Sequence, residues 1–148
     1  MPNMGATASF LVTEPEALWS IMEKARTIAI IGVSSQPVRP SYEVAEYLKK
    51  AGYQILPVNP VEKEVLGIPS VSSLRDLSVC PDVVLVFRRS SEVAPHVDEV
   101  IAMGARVLWL QDGVVDLASA HRAHDAGILV VMNRCMMRDH AALAKRFG

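Results

Sequence analysis

The segment TIAIIGVSSQPVRPSY, residues 27–42, decides how the rest of the chain reads. Ile28, Ala29, Ile30, Ile31 and Val33 make a short apolar run, rich in branched side chains, between polar Thr27 and a set of turn residues. Such a run suits a strand buried on both faces of a parallel sheet. Gly32, at its end, permits a tight turn where backbone must approach a ligand. Ser34, Ser35 and Gln36 then offer hydroxyl and amide donors, and a helical pattern starts at Ser41. Strand, glycine turn, polar loop and helix N-terminus together form the arrangement that cradles a phosphate. The loop is not a strict dinucleotide fingerprint: Ser34 and Pro37 stand where G-x-G-x-x-G requires glycine, and no G-x-x-x-x-G-K-[ST] is present there.

On the N-terminal side, residues 1–12 read as a flexible tail, and residues 13–16, TEPE, match a helix-capping box. Leu18, Ile21, Met22 and Ala25 follow at helical spacing. On the C-terminal side, Val44, Tyr47, Leu48 and Ala51 define a second helix that Gly52 stops, and residues 53–58, YQILPV, read as a second strand. Residues 59–69 are turn-rich, with a minor edge element around Val65, Leu66 and Ile68, and residues 72–77 suit one or two helical turns. Further strands are expected over 82–87, 106–110 and 128–132, separated by helices capped by Ser90 and Asp116, with a last helix over 136–147.

Strands alternating with helices in units of about 25 residues imply an α/β protein of three layers, a parallel sheet of about five strands with helices on both faces. Right-handed crossovers then bring the strand-to-helix loops to one edge of the sheet. Residues 32–39, 58–63, 87–91 and 111–114 should converge there, beside the strand where the order reverses. No repeat, linker or second domain interrupts residues 13–148, which read as one domain.

Bulk properties exclude several classes. The 148 residues are 51% hydrophobic and 21% charged with net charge −1, and no cluster of Lys and Arg offers a footprint for nucleic acid or a membrane surface. Apolar runs fall far short of the ~20 residues of a membrane span. The N-terminus lacks the basic region of a signal peptide, and two cysteines, Cys80 and Cys135, stand at unrelated positions. A cytoplasmic protein with reduced thiols is expected.

The loops also narrow the ligand. An NAD site usually carries a carboxylate at the end of the second strand, where this chain has Val58 and Asn59 with no acid before Glu62. The nearest base for an NADP site is Lys63. Arg88 and Arg89 directly follow the third strand, and Arg39 flanks the glycine loop. Three guanidiniums over convergent loops suit a ligand with several phosphates.

Five motifs carry a resemblance: GVSSQPVRPSY at 32–42, GYQILPVNP at 52–60, DVVLVFRRS at 82–90, GARVLWLQDGVV at 104–115 and VVMNRCM at 130–136. Together, from about residue 14 onward, the chain resembles the small CoA-binding protein family, related to the N-terminal domain of the succinyl-CoA synthetase alpha subunit. The resemblance implies a Rossmann-like fold that binds coenzyme A, or an acyl-CoA, through its ADP and pyrophosphate. It assigns the phosphates to the turn from Gly32 through Val33, Ser34, Ser35 and Gln36, with Arg39 nearby. Val58 and Asn59 would border the adenosine and Lys63 its phosphate. Phe87 and Arg88, followed by Arg89, would close the opposite side, with Gln111 and Gly113 further along the cleft. Asp112 and residues 137–140, MRDH, depart from the family pattern.

No catalytic constellation accompanies this site. The synthetase's phosphohistidine domain has no counterpart in these residues, so binding without catalysis is expected. His121 and His124 stand three apart on one helix face but lack further ligands for a metal. Cys135 and His140, across a strand-to-helix junction, need not touch, and Cys80, Trp109, Met136 and Met137 read as packing residues. A nicotinamide-dependent oxidoreductase and a CoA-sensing module with a protein partner or homodimer remain the competing readings.

Overall fold

The computed structural model describes residues 9–148. In chain order it contains α1 (Pro15–Lys24), β1 (Thr27–Ile31), α2 (Pro40–Lys50), β2 (Gln54–Val58), β3 (Glu64–Val65), β4 (Ile68–Pro69), β5 (Val83–Val86), α3 (Ala94–Met103), β6 (Val107–Leu110), α4 (Leu117–Asp125), β7 (Leu129–Val131) and α5 (Met136–Phe147). Five strands form one parallel sheet in the order β2-β1-β5-β6-β7, and β3 and β4 make a separate antiparallel hairpin. The expected α/β architecture is the one found.

Burial explains why the central strands read as unbroken apolar runs. Ile28, Ile30, Val83, Leu85 and Trp109 face one layer, with Leu18 and Met22 of α1, Val44 and Leu48 of α2 and Met136 of α5. Ala29, Ile31, Val84, Val86 and Leu108 face the other, against Val97 and Val100 of α3 and Ala120 and Ala123 of α4. Beyond Thr27, neither face of β1, β5 or β6 meets water, so alternation is lost and every position is apolar. Each fully buried Leu, Ile or Val contributes roughly 1.5–3 kcal/mol relative to exposure. Trp109 satisfies its indole N–H with the carbonyl of Arg134 at 2.9 Å, as a buried indole requires.

The sheet edges are managed locally. Pro57 sits on edge strand β2, where its missing N–H costs no ladder bond; its carbonyl accepts from the amide of Val71 at 3.1 Å. At the other edge, the amide of Val12 donates to the carbonyl of Val130 at 2.9 Å. Of the tail expected over residues 1–12, residues 1–8 lie outside those described, whereas Phe10, Leu11 and Val12 pack on the core, and Phe10 stacks on His124 and lies tilted against His121, with both ring centroids 4.6 Å away. Both histidines thus pack against Phe10, and among the described residues no cluster of potential metal ligands occurs.

Three local signals resolve differently from expectation. Helix α1 starts at Pro15 with Glu14 as N-cap and no side-chain cap, so the box at Thr13 does not form. Ser90 does not cap α3 directly. A 3₁₀ turn over Ser90–Glu92 intervenes, and the Ser90 hydroxyl instead accepts from the amide of Val115 at 2.9 Å and donates to the carbonyl of Gly113 at 3.3 Å. Cys80 is exposed rather than packed, with its thiol 3.2 Å from the carbonyl of Met103.

Candidate functional site

The chain leaves β1 toward β2 on one side and leaves β5 toward β6 on the other. The loops at the C-terminal ends of β1 and β5 therefore part, and a crevice opens between them. A cleft of about 1040 Å³ occupies this edge, lined from β1 to the start of α5.

Gly32 sits at the centre of the crevice, at φ +83°. A Cβ there would lie 2.1 Å from the carbonyl oxygen of Phe87. The residue is glycine because two strand ends converge tightly, in addition to the turn itself. The Gly32 amide donates to the carbonyl of Val58 at 2.9 Å and the Phe87 amide to the carbonyl of Ile31 at 2.8 Å, which ties three strand ends together.

Beyond Gly32 the polar loop is internally braced. The Ser41 hydroxyl, buried at the start of α2, accepts from the amide of Ser34 at 3.0 Å, and the Ser34 hydroxyl accepts from the amide of Gln36 at 3.0 Å. Asn59 links the neighbouring loop: its side-chain amide donates to the carbonyl of Val33 at 2.9 Å and its oxygen accepts from the amide of Val61 at 2.8 Å. The turn expected to cradle a ligand is thus braced by its own hydrogen bonds, the condition for preorganised binding.

The arginines stand in a different state. None of Arg39, Arg88 and Arg89 has an ion pair or side-chain hydrogen bond among the described residues, and all three line the cleft. The Nε of Arg88 is buried with no hydrogen-bond partner among the described residues. A buried N–H left unsatisfied costs about 1–3 kcal/mol, which an incoming anion would recover. Glu43, Glu62 and Glu92 also line the cleft, so its charge is mixed rather than uniformly positive.

The far end is organised by the β7–α5 turn. Asn133, at φ +59°, accepts from the amide of Gly113 at 2.7 Å; asparagine is among the few non-glycine residues that tolerate this backbone. Asp112 meets Arg138 in a two-point pair, 2.9 Å at both contacts. The Arg138 guanidinium, through these hydrogen bonds, holds the Asp112 carboxyl below its ordinary value. Asp112 and Arg138, both among the positions that depart from the family pattern, are each other's partners. Gln111, only 6% exposed, accepts from the amide of Met136 at 3.4 Å beside Cys135 and Met137.

Of the residues assigned to the site, Gly32, Ser34, Gln36, Arg39, Asn59, Phe87, Arg88, Arg89, Gln111 and Gly113 line the cleft together. Val33 and Val58 are core residues that reach the site only through their carbonyls. Ser35 and Lys63 are exposed and outside the lining, Lys63 because its loop turns into the β3–β4 hairpin. Ser41, the four carboxylates and Asn133 were not assigned; a polar residue in the first helical turn, or an Asn before a helix, was the available signal. Cys135 is buried at the N-cap of α5, while the Nδ1 of His140 bonds to the hydroxyl of Tyr47 at 2.9 Å.

Known proteins share this architecture. Residues 26–141 match the family described as CoA binding domain. The uncharacterized protein YneT of Bacillus subtilis (strain 168) is 36% identical over 121 residues, 82% of this chain and 90% of that protein. A hypothetical protein from Pyrococcus horikoshii OT3 superposes with a TM-score of 0.87 at 34% identity, covering 89% of this chain and 93% of its own. The structure of cell-free ID.343 from Thermus thermophilus gives 0.85 at 37% identity, over 88% and 99% of the two chains.

Proposed function

The chain belongs to the CoA-binding domain family, and from that premise we propose that its cleft binds coenzyme A or an acyl-CoA through the ADP and pyrophosphate, without catalysing a reaction of its own, in the cytoplasm. The observation that carries this reading is the set of three unpaired guanidiniums, Arg39, Arg88 and Arg89, around a prebuilt glycine turn. Pyrophosphate offers several anionic oxygens to a donor such as the orphaned Arg88 Nε, and Arg forks match phosphate geometry. Asn59, where a nicotinamide-dinucleotide site would place a carboxylate, already spends its amide on bracing two loops and leaves no acid for a ribose 2′-hydroxyl. The mixed charge supplied by Glu43, Glu62 and Glu92 favours a ligand held at defined points over a diffuse polyanion.

Thermal-shift titration against CoA, dephospho-CoA, NAD, NADP and ADP tests the reading. A ligand at about 100 times its dissociation constant stabilises the folded state by roughly 2.7 kcal/mol. CoA is expected to raise the melting temperature most, and Arg88→Ala to weaken CoA binding by roughly 1.5–3 kcal/mol. A shift with NAD alone, or none with CoA, would refute it.

A further inference from the structure

At the opposite edge of the sheet, the N-terminal ends of β5, β6 and β7 leave a second hollow of about 320 Å³ under α1. Its volume lies at the lower end of small-molecule sites, about 300–1,000 Å³. The walls are apolar: Val12, Ile21, Val83, Val107 and Leu129. Leu129 is 50% exposed although it begins a strand whose next two residues are buried. An apolar side chain left half in water at the mouth of a hollow is the surface a nonpolar tail would cover.

The charges around the mouth are asymmetric. Lys24 and Arg106 both line it, and among the described residues neither has an ion pair or a side-chain hydrogen bond. The acid beside them, Asp82, is already occupied: its Oδ2 accepts from the amides of Arg26 at 2.7 Å and Thr27 at 3.1 Å. Burial pushes its carboxyl up, but these amides, the Thr27 hydroxyl and Arg106 outweigh that and hold it below its ordinary value. It stays a structural carboxylate and leaves both cations with donors to spare.

We propose that this hollow is a second ligand site, for a short aliphatic carboxylate whose chain lies on Val12, Val107 and Leu129 and whose carboxylate is shared by Lys24 and Arg106. A neutral chain of the same length would gain only the apolar contact, and an amine would meet two like charges. The site stands independently of the reading of the CoA cleft, which occupies the other edge.

The test is titration of the isotope-labelled full chain with octanoate, octanol and octylamine, followed by amide NMR. Octanoate is expected to move Ser20, Lys24, Arg106 and Leu129 saturably, leaving Gly32 and Arg88 unmoved. The doubly substituted Lys24→Gln/Arg106→Gln protein should bind octanoate about tenfold more weakly or less, and Ala17→Trp, on the exposed wall, should block it while the melting temperature holds. Three results would overturn the proposal: octanol binding as tightly as octanoate, shifts centred on the cleft, or no saturation by octanoate. Concentration-dependent dimerisation that shifts the same amides without ligand would overturn it too, by assigning the hollow to a second copy.

Discussion

Gly32 carries two constraints that act on the same atom position. Its φ of +83° strains any residue with a side chain, and a Cβ added there would fall 2.1 Å from a carbonyl oxygen that belongs to the neighbouring strand end. Backbone oxygens cannot rotate away as a flexible side chain would. Gly32→Ala is therefore expected to destabilise the fold by roughly 2–5 kcal/mol, adding backbone strain to overpacking. Urea denaturation measures it; a loss below about 1 kcal/mol would mean that β1 and β5 separate easily at their ends. By contrast Gly113, at φ +79°, has open space where a Cβ would stand, so the same change there is felt only through the backbone.

Among elements, one histidine of α5 gathers aromatic rings from α1, from α2 and from the turn before β2. The His140 ring lies 5.7 Å from Trp19, 5.6 Å from Tyr47 and 5.7 Å from Tyr53, and its Nδ1 bonds to the Tyr47 hydroxyl. Burial lowers its pKa from the ordinary 6.5. The folded state then binds fewer protons than the unfolded chain just below pH 6.5, so stability rises with pH through that window. The contribution is complete above the ordinary value and is lost as pH falls toward the folded one. Tyr53 has the opposite sense: burial pushes it up to about 12, its hydroxyl donates to the carbonyl of Met22, and stability should fall between about pH 10 and 12 as the unfolded tyrosine ionises. Denaturation midpoints for His140→Phe and Tyr53→Phe are expected to lose the acid and alkaline slopes respectively. An unchanged acid slope in His140→Phe would assign it to other groups.

For the whole molecule, the cleft and the apolar hollow lie at opposite ends of the same strands. Five residues of β1 separate the two edges by roughly 16 Å of extended backbone. Sites that far apart with no shared partner contribute additively within about 0.5 kcal/mol. Saturating CoA and octanoate together should raise stability by the sum of their separate effects. A deficit beyond that margin would show that the sheet transmits strain between its edges.

How much of this was legible in the chain follows from the range of the forces involved. The strands at 27–31, 83–86 and 107–110 and the helix at 136–147 were readable because burial on both faces, or on one helical stripe, writes a local pattern into consecutive residues. Topology followed from that alternation, and with it the convergence of Gly32, Asn59, Arg88 and Gln111 at one edge. The role of Ser90, which looks like a helix cap but bonds to the loop around Gly113 and Val115, was not readable, nor was the exclusion of Lys63 by the β3–β4 turn. The pairing of Asp112 with Arg138 was equally hidden, although each had stood out alone. Those depend on partners 23 to 26 positions away or on where a loop bends. Local sequence by itself determined the elements, their order and the polar side chains brought to the cleft. Only the tertiary structure decided which polar groups are spent on holding the loops and which, like Arg39, Arg88 and Arg89, have no side-chain partner among the described residues, because hydrogen-bond partners are chosen by proximity in space and not along the chain.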